Sequence, residues 1–300
     1  MRAGLRAQLR RGEHAHRPSL QRHRPANQAQ VKRLGKNPSL VLGGALVAIL
    51  AITGALGPML VHTDPAAIDL GHALAGPSAM HPLGCDALGR DVLARLIWGA
   101  RLSLTVSVAV IALSLAIGSL VGGAAALAGG KRDSAVMRAV DIVLAFPGFL
   151  LAIALAAILG PGLKSLVIAL AAMGWTGYAR LVRGEVLSLR EREYVTAART
   201  LGATQSRILF RHLLPGLAGP VAVQATFGIG GIIIAEASLS FLGLGVLPPT
   251  PSWGNMLDGG RAFLLVAPHI TTAPGVAIGL SVLGFNLLGD GLAQLAGTRS

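Results

Sequence analysis

Long apolar runs separated by short charged or Gly/Pro-bearing stretches dominate the chain. Several reach the roughly 20 residues that an α-helix needs to cross a bilayer. Six spans are predicted, at about 39–62, 103–129, 141–160, 165–182, 217–240 and 270–290. The short alternating segments of a transmembrane β-barrel are absent. Pro147 falls inside the third run and predicts a kink. Gly160-Pro-Gly-Leu-Lys164 predicts a tight turn before the fourth.

The intervening stretches differ in character. Residues from Thr63 to about Gly99 form a polar loop, and Lys131 to Arg138 a short amphipathic connector. Phe241 to about His269 is a Gly/Pro-rich connection containing Pro248, Pro249, Pro251 and Trp253. The segment 183–215 is the most elaborate. Glu191 to Leu201 has good helix formers with acids near its start, which suits the helix dipole. Tyr194, Ala197, Ala198 and Leu201 fall on one helical face. Gly202 supplies a helix stop, since a left-handed conformation costs glycine little. Thr204 is a candidate N-cap for a second helix with an apolar face at Ile208, Leu209 and Leu213 and cations at Arg207 and Arg211. Pro215 marks the expected turn into the fifth span. Periodicity leaves two readings of this module: a helix lying on lipid headgroups, or a handle for a soluble partner.

Composition agrees with an all-α polytopic membrane protein. Hydrophobic residues are 53% of the chain and charged residues 13%, with mean hydropathy +0.64. Soluble domains carry about 25% charged residues. The net charge of +13 resembles a nucleic-acid signal until its distribution is read. Residues 1–38 hold ten of the 26 Lys and Arg residues against one acid, Glu13, and aromatic residues are only 4%. A basic tail before the first apolar run is a topological signal, so nucleic acid is not expected as a partner. The tail is too long and polar for a cleavable signal peptide. With both termini inside, 21 of the 26 cations fall on the inner side and five on the outer, which fixes an N-in, C-in arrangement and places 183–215 in the cytoplasm.

Candidate chemistry is sparse. The single cysteine, Cys85, excludes an intramolecular disulfide. His14, His16, His23 and the remaining histidines form no metal-ligand spacing, and no metal site is expected. The P-loop pattern is absent, so no ATP site is expected on this chain. Glu236, near the outer end of the fifth span, is either an intramembrane functional group or an interfacial solvated acid. Asn286 and Asp290, one turn apart at the inner end of the sixth span, are candidates for interhelical hydrogen bonds or for the pathway. Asp141 is expected at a helix N-terminus near Lys131, Arg132 and Arg138. Asp86, Arg90, Asp91 and Arg95 are spaced for i,i+4 and i,i+5 contacts on an outer helix, where exposed pairs are individually weak and are expected instead to shape a surface against a partner protein.

Ala197-Ala-Arg-Thr-Leu-Gly202, with Leu214-Pro215 downstream, resembles the cytoplasmic EAA loop of ATP-binding-cassette (ABC) importer permeases. Thr196 stands where that family's name-giving Glu would be. Three further stretches resemble the dipeptide/oligopeptide/nickel class: Gly84 to Leu104, Ser238 to Leu257, and Phe285 to Leu292. That class usually has Thr at the place of Cys85. The chain resembles the second, C-type permease subunit of such importers.

The resemblance implies a type I ABC importer permease fold of six transmembrane helices in a bacterial or archaeal-type cell (inner) membrane. The basic tail at 1–36, rich in Arg, His and Gln, is expected to be disordered, and is followed by a first helix and outer loop at 37–100, a permease domain at 101–293 and a C-terminal tail at 294–300. The resemblance also implies a heterodimer with a second permease, two ATP-binding subunits and an extracytoplasmic binding protein, besides contact with membrane lipid. No cofactor is implied on this chain, ATP being bound by the partner subunits. The coupling residues implied are Glu193, Tyr194, Thr196, Ala197, Ala198, Arg199, Gly202, Ala203, Arg207 and Pro215. Glu236, Asn286 and Asp290 are the candidates for pathway or gating. Di- or oligopeptides lead as substrate, with nickel or another small solute as alternative. A stand-alone secondary transporter is the reading from a different class.

Overall fold

A computed structural model describes residues 37–61 and 63–297. The expected disorder of the 1–36 tail and the end of the 294–300 tail lie outside the described residues. Helix α1, Pro38–Leu60, starts where Asn37 accepts a hydrogen bond from Leu40 N and Pro38 occupies the first turn, where a missing N–H costs nothing. An outer loop follows, and then α2, Val92–Ala128, about 55 Å long. Gly129, at φ +63°, ends α2 and opens α3, Gly130–Ala145. Next come α4, Gly148–Leu159, and α5, Leu163–Leu189. The segment 183–215 contributes α6, Glu193–Thr200, and α7, Gln205–Ile208. Then come α8, Ala218–Phe241, α9, Trp253–Gly260, and α10, His269–Gly297. Among the described residues the one β pairing is an isolated bridge between Cys85 and Asp91.

Five helical runs are long and apolar enough to cross a membrane, and α3 with α4 makes a sixth crossing if that bent pair is one span. The kink expected at Pro147 is a break of 81°. Phe146 precedes proline, is pushed out of the helical region, and sits extended at ψ 138°. The connector 131–138 is therefore part of α3, the first arm of this bent pair.

Three sequence boundaries shift for identifiable reasons. α2 begins at Val92, inside the stretch expected as loop, because Arg95 points inward and its charge is met locally. The same helix runs unbroken through residues 100 and 101, the division drawn from the sequence. The connection 241–269 contains α9, whose Trp253 is buried and donates Nε1–H to the Leu96 carbonyl at 3.0 Å.

Helices approach closely where small residues allow it. A Cβ on Gly122 of α2 would lie 2.1 Å from the Ala179 carbonyl oxygen of α5, and one on Gly118 would lie 2.5 Å from Tyr178 Cβ. This Gly-x3-Gly pair brings the two backbones together, as at other membrane-helix interfaces. α1 meets α10 in the same way, through Gly43, Gly284 and Gly291. Asn37 Nδ2 donates to Gln294 Oε1 at 2.9 Å, so α1 begins beside the end of α10. That places the start of α1 and the end of α10 side by side at one end of the bundle.

Candidate functional site

The segment 183–215 is rooted by apolar side chains. Val195 of α6 is fully buried against Val182 and Val186 of α5, Ala126 of α2, and Ile208, Leu209, Leu213 and Leu217 of the following run. Val195 is the one fully buried residue of α6. Glu193, Thr196, Ala197 and Arg199 are exposed, Ala198 and Ala203 half-buried. Tyr194 is 44% exposed and Leu201 87%. The face expected from periodicity is present and uncovered within this chain.

Local hydrogen bonds fix the turn after α6. Gly202 sits at φ +80° and no atom lies within 4 Å of a Cβ built there. Gly202 N donates to the Arg199 carbonyl at 2.9 Å and Ala203 N to the Ala198 carbonyl at 3.0 Å. These bonds satisfy carbonyls that the helix end would leave free. Thr204 Oγ1 accepts from Arg207 N at 3.3 Å, the expected N-cap.

Pro215 does not turn the chain. α7 passes through a π turn at Leu209–Leu213 and a 3-10 turn at Leu214–Leu217 straight into α8, so 205–241 is one helical run. The wider π turn loosens the hydrogen-bond ladder just before the proline, which has no N–H to give it. Arg207, Arg211 and Pro215 are exposed along this run.

Glu236 lies deep in the helix bundle, fully buried. Ser103 Oγ of α2 donates to Oε2 at 2.8 Å, and Ser240 Oγ, one turn along α8, donates to Oε1 at 3.0 Å. The solvated interfacial reading of Glu236 is thereby corrected: its two oxygens tie α2 to α8. Asn286 and Asp290 are exposed, and neither makes a side-chain hydrogen bond among the described residues. They lie toward the other end of the bundle from Glu236, so the three do not form one site.

Two further expectations are corrected. Asp141 is in the C-terminal half of α3, and its partner is Arg180 of α5 rather than Lys131, Arg132 or Arg138. The expected i,i+4 pair forms between Asp86 and Arg90, but the outer charges do not sit together on an exposed helix. Asp86 is in the loop, buried, and accepts from Leu88 N, Arg90 N and Arg90 Nε at 2.7–3.0 Å. Arg95 is buried beside it, 3.5 Å from Asp86, and donates to the Pro65 carbonyl. Asp91 caps α2 through Ala94 N and meets His81 Nδ1 at 2.8 Å. The backbone groups of the loop needed partners, and the charged side chains supply them. Cys85, fully buried beneath this loop, has its thiol pushed up in pKa, first by burial and then by Asp91 and Asp86.

Sequence reasoning passed over Gly118 and Gly122, although their Gly-x3-Gly spacing was a readable signal. It also passed over the pair Asp133–Arg183, whose partners are 50 residues apart with no local signature.

Residues 114–299 match the family described as binding-protein-dependent transport system inner membrane component. The chain belongs to this family. It is similar to the dipeptide transport system permease protein DppC of Alkalihalophilus pseudofirmus, 42% identical over 261 residues, covering 87% of this chain and 86% of that one. It is also similar to the glutathione transport system permease protein GsiD of Pectobacterium atrosepticum and of Escherichia coli O157:H7. Each is 46% identical over 217 residues, covering 72% of both chains. The permease is therefore an inner-membrane, multi-pass subunit of an ATP-driven importer and not a catalytic subunit. The matched region begins within α2 and contains the bent pair α3–α4, the segment 183–215 and Glu236.

Proposed function

We propose that this permease forms half of a pathway for di- or oligopeptides and is driven through α6. The observation that carries the reading is the uncovered face of α6: Tyr194, Ala197 and Leu201 point outward on a helix rooted by Val195. An 87% exposed leucine beside small residues on the cytoplasmic side suits a groove on a soluble partner. The peptide reading rests on relatives whose names specify dipeptide and glutathione transport, both peptide substrates.

The partners are a second permease, two ATP-binding subunits that hydrolyse ATP, and an extracytoplasmic binding protein. Glu193, Thr196, Ala198, Arg199, Gly202, Ala203 and Arg207 complete the coupling surface around the face, and Pro215 follows it on the exposed side of the run. Closure of the ATP-binding subunits displaces α6 and shifts the spans between inward-open and outward-open states. Such a drive works only if the motor binds the two states with different free energy.

The test is affinity capture of the tagged permease from detergent-solubilised native membranes, followed by identification of the retained proteins. A second permease and P-loop ATPases should be retained, and should be lost when 193–203 is scrambled. Recovery of the chain alone, still active for uptake without ATP, would overturn the reading in favour of a secondary transporter. A competition panel of dipeptides, tripeptides and nickel in vesicles then separates the peptide from the metal substrate.

A further inference from the structure

The last turns of α5 carry Arg180 and Arg183, Arg190 caps its C-terminal end, and each of the three reaches a different partner on the cytoplasmic side. Arg183 meets Asp133 of α3 through two parallel bonds, Nε to Oδ1 at 2.6 Å and Nη2 to Oδ2 at 2.7 Å. Arg180 pairs with Asp141, two turns further along α3. Arg190 Nη1 donates at 3.2 Å to the carbonyl of Ala126, among the carbonyls that the end of α2 leaves without an intrahelical partner.

These contacts differ in weight. Arg180 and Asp141 are 55% and 54% exposed, and an exposed pair contributes little. The Asp133 side chain is 11% exposed and that of Arg183 32%. Their forked, charge-assisted geometry is one that arginine makes and lysine does not.

The placement gives the pair its consequence. α3 is jointed at both ends. At its start Gly129 holds φ +63° with open space around it, and at its far end stands the 81° break at Phe146–Pro147. Neither joint by itself fixes the direction of α3. Asp133, in its first turn, does so by fastening it to α5. α6 follows the end of α5 at once and shares a buried cluster with it.

We infer that Asp133 and Arg183 are positioning residues for transport: they fasten α3 to the α5–α6 unit, so that displacement of α6 is delivered to the bend at Phe146–Pro147. The inference rests on the coupling role proposed for α6.

The test uses the assembled importer in proteoliposomes, with Ala139→Cys on the exposed side of α3 as the reporter thiol. Cys85 is the one native cysteine of this chain and is buried, so labelling read on this chain's own band reports Ala139→Cys. The labelling rate with a soluble maleimide is compared without nucleotide and after trapping with ADP and vanadate. In the parent complex, trapping is expected to change the rate about fivefold, the lower end of ordinary coupling between sites. In Asp133→Asn and Arg183→Gln that response is expected to disappear while assembly and ATP hydrolysis persist.

Arg183→Lys, which keeps the charge without the fork, should respond in between. The double variant should be no worse than either single one, because both remove the same contact. Parental responses in the single variants, losses that multiply in the double, or a parent reporter indifferent to trapping would each overturn the inference. If Arg183→Gln fails to assemble, Arg183→Lys decides, and a full parental response from it refutes the clamp. Failure of the parent chain to assemble with ATP-hydrolysing subunits would instead sink the coupling reading itself.

Discussion

Replacing Gly122 with alanine places a methyl carbon 2.1 Å from the Ala179 carbonyl oxygen, 2.9 Å from its carbon and 3.0 Å from its Cα. All three are backbone atoms of the neighbouring helix, so no rotamer change relieves the contact. Restoring an ordinary separation near 3.4 Å requires α2 and α5 to part locally by roughly 1.3 Å. A radial gap of about 1 Å forfeits up to half of the dispersion well between facing atoms. The same gap would open under Gly118, where Tyr178 Cβ and the Trp175 carbonyl stand within 2.7 Å of the place an alanine methyl would take. Overpacking of this kind costs about 1–3 kcal/mol. The assay is reversible unfolding of the purified permease in mixed micelles with increasing denaturing detergent. Gly44→Ala is the control, since nothing lies within 4 Å of its Cβ position. Gly118→Ala combined with Gly122→Ala should cost less than the sum of the two, because one separation accommodates both methyls. A Gly122→Ala protein within about 0.5 kcal/mol of the parent, the scatter of neutral surface changes, would refute close backbone packing as the reason for glycine there.

Other outcomes follow from the same geometry. Glu236→Ala strands the Ser103 and Ser240 hydroxyls at about 1–3 kcal/mol each, whereas Glu236→Gln keeps partners for both and should lose far less in the same titration. Because burial raises the Cys85 pKa above its ordinary 9.0, the thiolate is scarce at pH 8, and the native protein should resist iodoacetamide until denatured. Prompt labelling of the folded chain at that pH would contradict the burial. Gly202→Val forces a side chain into a left-handed conformation at about 1–2 kcal/mol without any clash, so insertion should persist while uptake per ATP falls. Gly202→Asn should be milder, since asparagine tolerates that region. Full uptake by Gly202→Val at parental protein amounts would remove the turn from the coupling argument.

The apolar runs and the order of the motifs were enough to read an all-helical, multi-pass permease from the sequence, and the inner bias of the cations gave the expected N-in, C-in orientation. Each depends on one dimension: a span needs about 20 apolar residues, and topology follows from which loops hold Lys and Arg. The local turn at Gly202 and the cap at Thr204 were legible for the same reason, since their partners lie within five residues. The exposure of Leu201 and the burial of Val195 were only half legible. Helical spacing separates the two faces of α6, but the buried cluster that receives Val195 is assembled from α2, α5 and the 205–217 run.

What the tertiary structure alone decided are the partners of charged and polar groups. Asp133 meets Arg183, Glu236 meets Ser103 133 residues away, and Arg95 turns inward to Asp86 and the Pro65 carbonyl. A charge in sequence reads as exposed because exposure is its cheapest state. Burial becomes tolerable only when a second element brings a hydrogen-bonding partner within about 3 Å, and hydropathy carries no record of that approach.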